Sequence, residues 1–288
     1  MNFVDSRELL EICERDSITL SQAMIQREIT ILHKDEDEVY NQMAHAYEIM
    51  KNSVKKALTS ELVSMGGLIG GESKKLYNYS KPGVCGEVMR KAMSYALGVL
   101  EVNCSMGLIV AAPTAGSSGV IPGALIAVQE EFKFSDNTMI GALFNAGAVG
   151  YLITRNATVS GAEGGCQAEV GAASAMAASA ICELLGGSPR QCLDAASTAM
   201  TNILGLVCDP IAGLVEDPCQ KRNAMGVSNA MISAEMTLCG ISNRIPFDET
   251  VEAMYKVGKS MPSELRETAL GGIANTPTGC QLCKGIFG

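Results

Sequence analysis

Apolar residues recur at helical spacing along much of this chain, and almost nowhere do they alternate as a half-buried strand requires. Ile18, Ile25, Ile29 and Leu32 follow that spacing, which resumes after the charged patch Lys34 to Glu38 as Tyr40, Met43, Tyr47 and Met50. Asp5, followed three residues later by Glu8, makes an N-cap arrangement. Residues 5 to 60 are therefore expected to be helical. Further helices are expected at 87–112, 123–131, 139–154, 167–186, 189–206 and 223–240, several of them rich in Ala. Gly186-Gly187-Ser188-Pro189 stops one helix and restarts the next. No repeat, low-complexity tract or clear linker is visible. The pattern predicts an all-α fold: a single, mainly helical domain over 1–288, made of an N-terminal arm (1–60) and a core (61–288) with Gly/Pro-rich functional loops.

Composition supports a large core. Hydrophobic residues make up 47% of the 288 and charged residues 18%, a balance that argues against disorder. There is no Trp and only 5% aromatic content, so Ala, Gly and Met must do much of the packing, which suits closely approaching helices. The net charge is −9, and no Lys/Arg cluster is dense enough for a nucleic-acid face, so no nucleic acid is expected as partner. Met1-Asn2-Phe3-Val4-Asp5 lacks the basic region and apolar run of a signal peptide. No uninterrupted stretch reaches the roughly 18 apolar residues that cross a bilayer. A cytoplasmic protein without a membrane partner is expected.

In that compartment the eleven cysteines should stay reduced, most of them as small buried hydrophobes. Cys182, Cys192 and Cys239 lie in helical stretches and are read that way. Three others have different surroundings. Cys166 follows Gly164-Gly165 and precedes a helix, where a thiolate, the metal-binding form, is favoured. Cys208 and Cys219 bracket a segment with Pro210 near one end and Pro218 near the other. The prolines keep the backbone out of regular helix, so both sulfurs can turn towards one point. Cys280 and Cys283 form a lone C-x-x-C, a weak zinc signal because structural zinc takes four ligands.

Two loops complement the thiols. Pro113-Thr114-Ala115-Gly116-Ser117-Ser118-Gly119 offers consecutive backbone N–H groups and three hydroxyls, a composition that binds anions such as carboxylates or makes an ordinary turn. The glycine-rich run Met65 to Gly71 leads into Lys74 and Lys75, which either add positive charge beside an anion or lie on a solvated surface. Asn223, just past Cys219, can orient a substrate or cap a helix. The only histidines, His33 and His45, lie in the arm, and no general base is assigned.

Glu101-Val102-Asn103-Cys104-Ser105-Met106-Gly107, Ala112 to Gly123, Gly164 to Gly171 and Cys208 to Gly226 together resemble the α chain of the two-subunit, iron–sulfur-dependent L-serine dehydratases. The resemblance runs from about residue 61 to Gly272. It implies a [4Fe-4S] cluster held by Cys166, Cys208 and Cys219. One iron would be left without a protein thiolate, free to act as a Lewis acid on a substrate hydroxyl. It also implies L-serine as substrate, pyruvate and ammonia as products, and the Thr114–Gly119 loop as the carboxylate site. Single-chain relatives carry a Ser-Ser-Ser-His-Thr-type motif in an additional domain. That motif is missing here, so a separate β chain is expected. Two rival readings are a pyridoxal-phosphate deaminase, which needs a Schiff-base lysine, and a non-catalytic iron–sulfur scaffold or sensor, which needs four protein ligands.

Overall fold

Short polar side chains set the helix starts. In the computed structural model, which describes residues 1–288, Asp5 accepts a hydrogen bond from Glu8 N at 2.8 Å and Asp35 one from Glu38 N at 2.7 Å. Thr19 with Gln22 and Ser188 with Gln191 form reciprocal capping boxes. Thirteen helices result: α1 (Ser6–Asp16), α2 (Leu20–Leu32), α3 (Glu36–Thr59), α4 (Glu72–Tyr77), α5 (Gly86–Cys104), α6 (Val120–Phe132), α7 (Asp136–Asn156), α8 (Gly161–Gly164), α9 (Cys166–Leu184), α10 (Pro189–Thr201), α11 (Cys219–Leu238), α12 (Phe247–Ser260) and α13 (Pro277–Phe287). There is no sheet. A single parallel bridge joins Cys208 to Arg266. The fold is all-α, as the periodicity predicts, and no helix is long and apolar enough to cross a membrane.

The arm is three helices, α1 to α3. The chain turns between them through left-handed Ser17 (φ 54°) and His33 (φ 52°), and each following helix starts on a fresh cap. The helix expected over 87–112 ends early, at Cys104. Left-handed Met106 turns the chain there, and Gly107 N returns to Val102 O at 2.8 Å. Likewise the helix expected over 189–206 ends at Thr201.

Helix α9 is the central element. Only Glu169, Glu183 and Leu184 along it are not buried. Helices α6, α7, α10 and α11 surround it, and its small side chains let them come close. One hydrophobic core includes Leu9, Leu20 and Tyr47 of the arm together with Leu125, Leu152, Met200 and Met254. Helices α5 and α6 approach each other closely. A methyl group on Gly123 would meet Ala92 O at 2.8 Å and the Ala96 N and Cβ at 2.9 Å. Backbone cannot yield as a flexible side chain can. Gly123→Ala is therefore expected to destabilise the fold by about 1–3 kcal/mol, seen as a lowered Tm in a calorimetric scan.

Candidate active site

Three segments meet at the N-terminal end of α9. The first is the start of that helix. Gly165 (φ 75°) makes the turn before it, where a Cβ would strike Leu206 O at 2.8 Å. Cys166 is thereby the first residue of a 19-residue helix, and Cys219 is the first of the 20-residue α11. Each sulfur stands at the positive end of a helix dipole, which favours thiolate and any negatively charged group built on it.

The second segment runs from Cys208 to Cys219. Cys208 N donates to Leu265 O at 2.9 Å, and Cys208 O accepts from Glu267 N at 2.7 Å, so the backbone of this cysteine is clasped on both sides. Further on, the buried Glu216 carboxylate accepts from Ser64 Oγ at 2.6 Å, Gly66 N at 2.7 Å and Leu68 N at 3.0 Å. The glycine-rich run after Met65 thus wraps a carboxylate three residues before Cys219. Helix α13 packs against Ile211–Gly213 within the same segment.

The third segment is the loop 113–119. Thr114 Oγ1 accepts from Ser117 N at 3.3 Å and lies 3.0 Å from Ser117 Oγ, while Ser118 Oγ donates to Ala115 O at 2.7 Å. The hydroxyls thus shape the loop itself. The N–H groups of Ala115 and Gly116 make no hydrogen bond within the chain. Asn223, fully buried on α11, fixes the loop from behind. Its Oδ1 accepts from Gly119 N at 3.0 Å, and its Nδ2 donates to Gly116 O at 2.7 Å and Cys219 O at 2.9 Å. Both ends of the amide are engaged, so Asn223 ties the loop to Cys219; it is not a helix cap. The Ala112–Pro113 and Asp217–Pro218 peptide bonds are cis.

These segments bring together Cys166 Sγ, Cys208 Sγ and a Glu169 carboxylate oxygen, all within 4.8 Å of one another. Cys219 is buried and close enough to feel the charge of Cys166, but it lies outside that 4.8 Å group. Hydrogen bonding from Cys208, helped by the Arg222 guanidinium, favours the thiolate at Cys166. Cys208 is held protonated chiefly by its hydrogen bond to Cys166, and Cys219 chiefly by burial. Burial pushes Glu169 up to about 7, against a contact from the Thr114 hydroxyl. A methyl group on Gly116 would lie 3.4 Å from Glu169 Oε1, so this carboxylate faces the loop as well as the thiols.

The structure does not bring the two lysines to the loop. Lys74 pairs with Glu61 at 2.5 Å and Lys75 with Glu72 at 3.3 Å, both at the surface. Cys280 and Cys283 lie on α13, and no third ligand-type side chain joins them in a metal-sized group. His33 and His45 stay on the arm. Cys182 and Cys192 are fully buried core residues, whereas Cys239 is exposed.

A family model described as "Serine dehydratase alpha chain" matches residues 15–274. The chain belongs to that family. It is 50% identical over 288 residues to the probable L-serine dehydratase, alpha chain, of Bacillus subtilis (strain 168), covering 99% of this chain and 96% of that one. It is 46% identical to the L-serine dehydratase, alpha chain, of Peptoniphilus asaccharolyticus, covering 96% of each. A longer relative, an L-serine dehydratase of Mycobacterium bovis, is 37% identical, and the match spans 94% of this chain but 61% of that protein. Within this member of the serine dehydratase alpha-chain family, sequence reasoning passed over Glu169. A signal was present: Glu169 is the one charged residue between Cys166 and Cys182 in an Ala-rich run.

Proposed function

We propose that this chain is the catalytic α chain of an L-serine dehydratase. In this reading it holds a [4Fe-4S] cluster on Cys166, Cys208 and Cys219, and acts in the cytoplasm with a separate β chain. The observation that carries the reading is the meeting of two buried thiols and a carboxylate in front of a loop with free N–H groups. The donor set suits such a cluster. Soft thiolates select iron–sulfur chemistry, three of them stand on neighbouring segments, and two sit at helix N-termini.

When bound, the cluster supplies a Lewis-acidic iron for the substrate β-hydroxyl. The chain's own residues do the rest. The N–H groups of Ala115 and Gly116, with the Thr114 hydroxyl, hold the substrate carboxylate, and Asn223 keeps that loop in place. Glu169, between loop and thiols, accepts the α-proton of L-serine on a carboxylate oxygen. Loss of the hydroxyl leaves an enamine, which tautomerises and hydrolyses to pyruvate and ammonia. Partial burial of the site keeps bulk water from competing for the loop's donors.

The pyridoxal-phosphate reading finds little support, since no lysine of the chain is buried. The deciding experiment is anaerobic purification with the β chain, followed by iron and sulfide analysis and a pyruvate assay on L-serine. About four irons and four sulfides per α chain, with pyruvate formed, is the expected result. Turnover by an iron-free protein with pyridoxal absorbance overturns the reading. An intact cluster with no turnover of L-serine returns it to a scaffold.

A further inference from the structure

One guanidinium, carried on the helix that Cys219 begins, reaches both Cys166 and the two residues that flank Cys208. Arg222 stands in the first turn of α11, three residues after Cys219. Its Nη1 donates to Val207 O at 2.8 Å and to Cys166 Sγ at 3.4 Å. Its Nη2 donates to Asp209 Oδ1 at 2.7 Å. Val207 and Asp209 are the two residues that flank Cys208. The grip extends outward, because Asp209 Oδ2 accepts from Ile273 N at 2.8 Å. The side chains of Arg222 and Asp209 are only 15% and 3% exposed.

A buried ion pair gives little net stability over an apolar pair of the same shape, so stability alone is a poor reason for this one. Its geometry suggests another role. A planar fork can hold a carbonyl, a carboxylate and a sulfur at fixed angles, which a lysine ammonium on a flexible stem cannot. Its charge also stands directly beside a thiolate ligand.

We propose that Arg222 is a positioning residue that sets Cys166 and the Cys208 backbone around Cys219 and offsets the negative charge of the cluster they hold. This rests on the cluster reading above. The test loads wild type, Arg222→Lys, Arg222→Gln and Arg222→Met anaerobically. It compares iron release to a ferrous chelator, the midpoint potential of the cluster by EPR-monitored titration, and the Tm of the unloaded chains.

Outer-shell partners of metal ligands typically change affinity 10–100-fold. Iron release from Arg222→Gln and Arg222→Met is accordingly expected to speed up by about that factor, with a more negative potential than wild type. Arg222→Lys should keep the potential near wild type but release iron faster, since charge remains and the fork is gone. Should Arg222→Met fail to fold, the Gln and Lys variants carry the comparison. Wild-type release rate and potential in Arg222→Gln overturn the proposal. So does a lowered Tm with unchanged potential, which marks a purely structural pair. A wild-type chain that takes up no iron overturns the cluster reading itself, and this inference with it.

Discussion

A Glu169→Gln chain, loaded with its cluster and paired with its β chain, is expected to lose about 10²–10⁴-fold in kcat while KM for L-serine changes little. The reason is local. Glu169 shares a 4.8 Å group with Cys166 and Cys208 Sγ and faces the Gly116 backbone. A proton taken from a substrate held between loop and thiols has this carboxylate as its neighbouring acceptor. Gln keeps the size and shape of the side chain but cannot accept that proton. The loop proposed to hold the substrate carboxylate is fixed by Asn223 and by Ser118 Oγ, which the substitution does not touch, and the Thr114 hydroxyl that contacts Glu169 can still donate to the amide oxygen of Gln. Steady-state assays with parallel iron analysis check the result. Wild-type kcat with a full cluster removes Glu169 from the chemistry, and a fall in iron content moves it to cluster binding.

The second large effect is expected from Cys208→Ser. A serine hydroxyl does not ionise as a thiol does and is a poor ligand for iron–sulfur clusters. The chain should therefore lose its visible cluster absorbance, and pyruvate formation should fall by more than about 100-fold, beyond what outer-shell changes produce. The backbone at 208 is held by Leu265 O and Glu267 N, not by the sulfur, so far-UV circular dichroism should stay at the wild-type level. Retained absorbance and turnover would remove Cys208 from the ligand set.

Much of this architecture can be read in the linear pattern. Apolar spacing of about 3.6 marks helices wherever one face is buried, and in α9 the small residues themselves announce close packing on all sides. Helix ends are harder. Met106 stops α5 with a left-handed residue that carries no glycine to betray it, and Ser17 and His33 do the same in the arm. Within the site, Cys166, Cys208 and Cys219 stand out because glycine and proline flank them. Asn223 draws notice beside Cys219, but its partners Gly116 and Gly119 are supplied only by folding, and Arg222 does not stand out at all, because its role depends on Cys166, Val207 and Asp209. Lys74 and Lys75 show the converse. A basic pair beside glycines looks like an anion site until Glu61 and Glu72 are seen to engage it.

The short bridge at Cys208 also sets an order of events during synthesis. Leu265 and Glu267 leave the ribosome long after Cys166, Cys208 and Cys219, yet they hold the middle cysteine in register. Until they arrive, the nascent polypeptide carries these cysteines without the clasp that orients one of them. Assembly of the finished pocket is therefore a late step in the life of each new molecule.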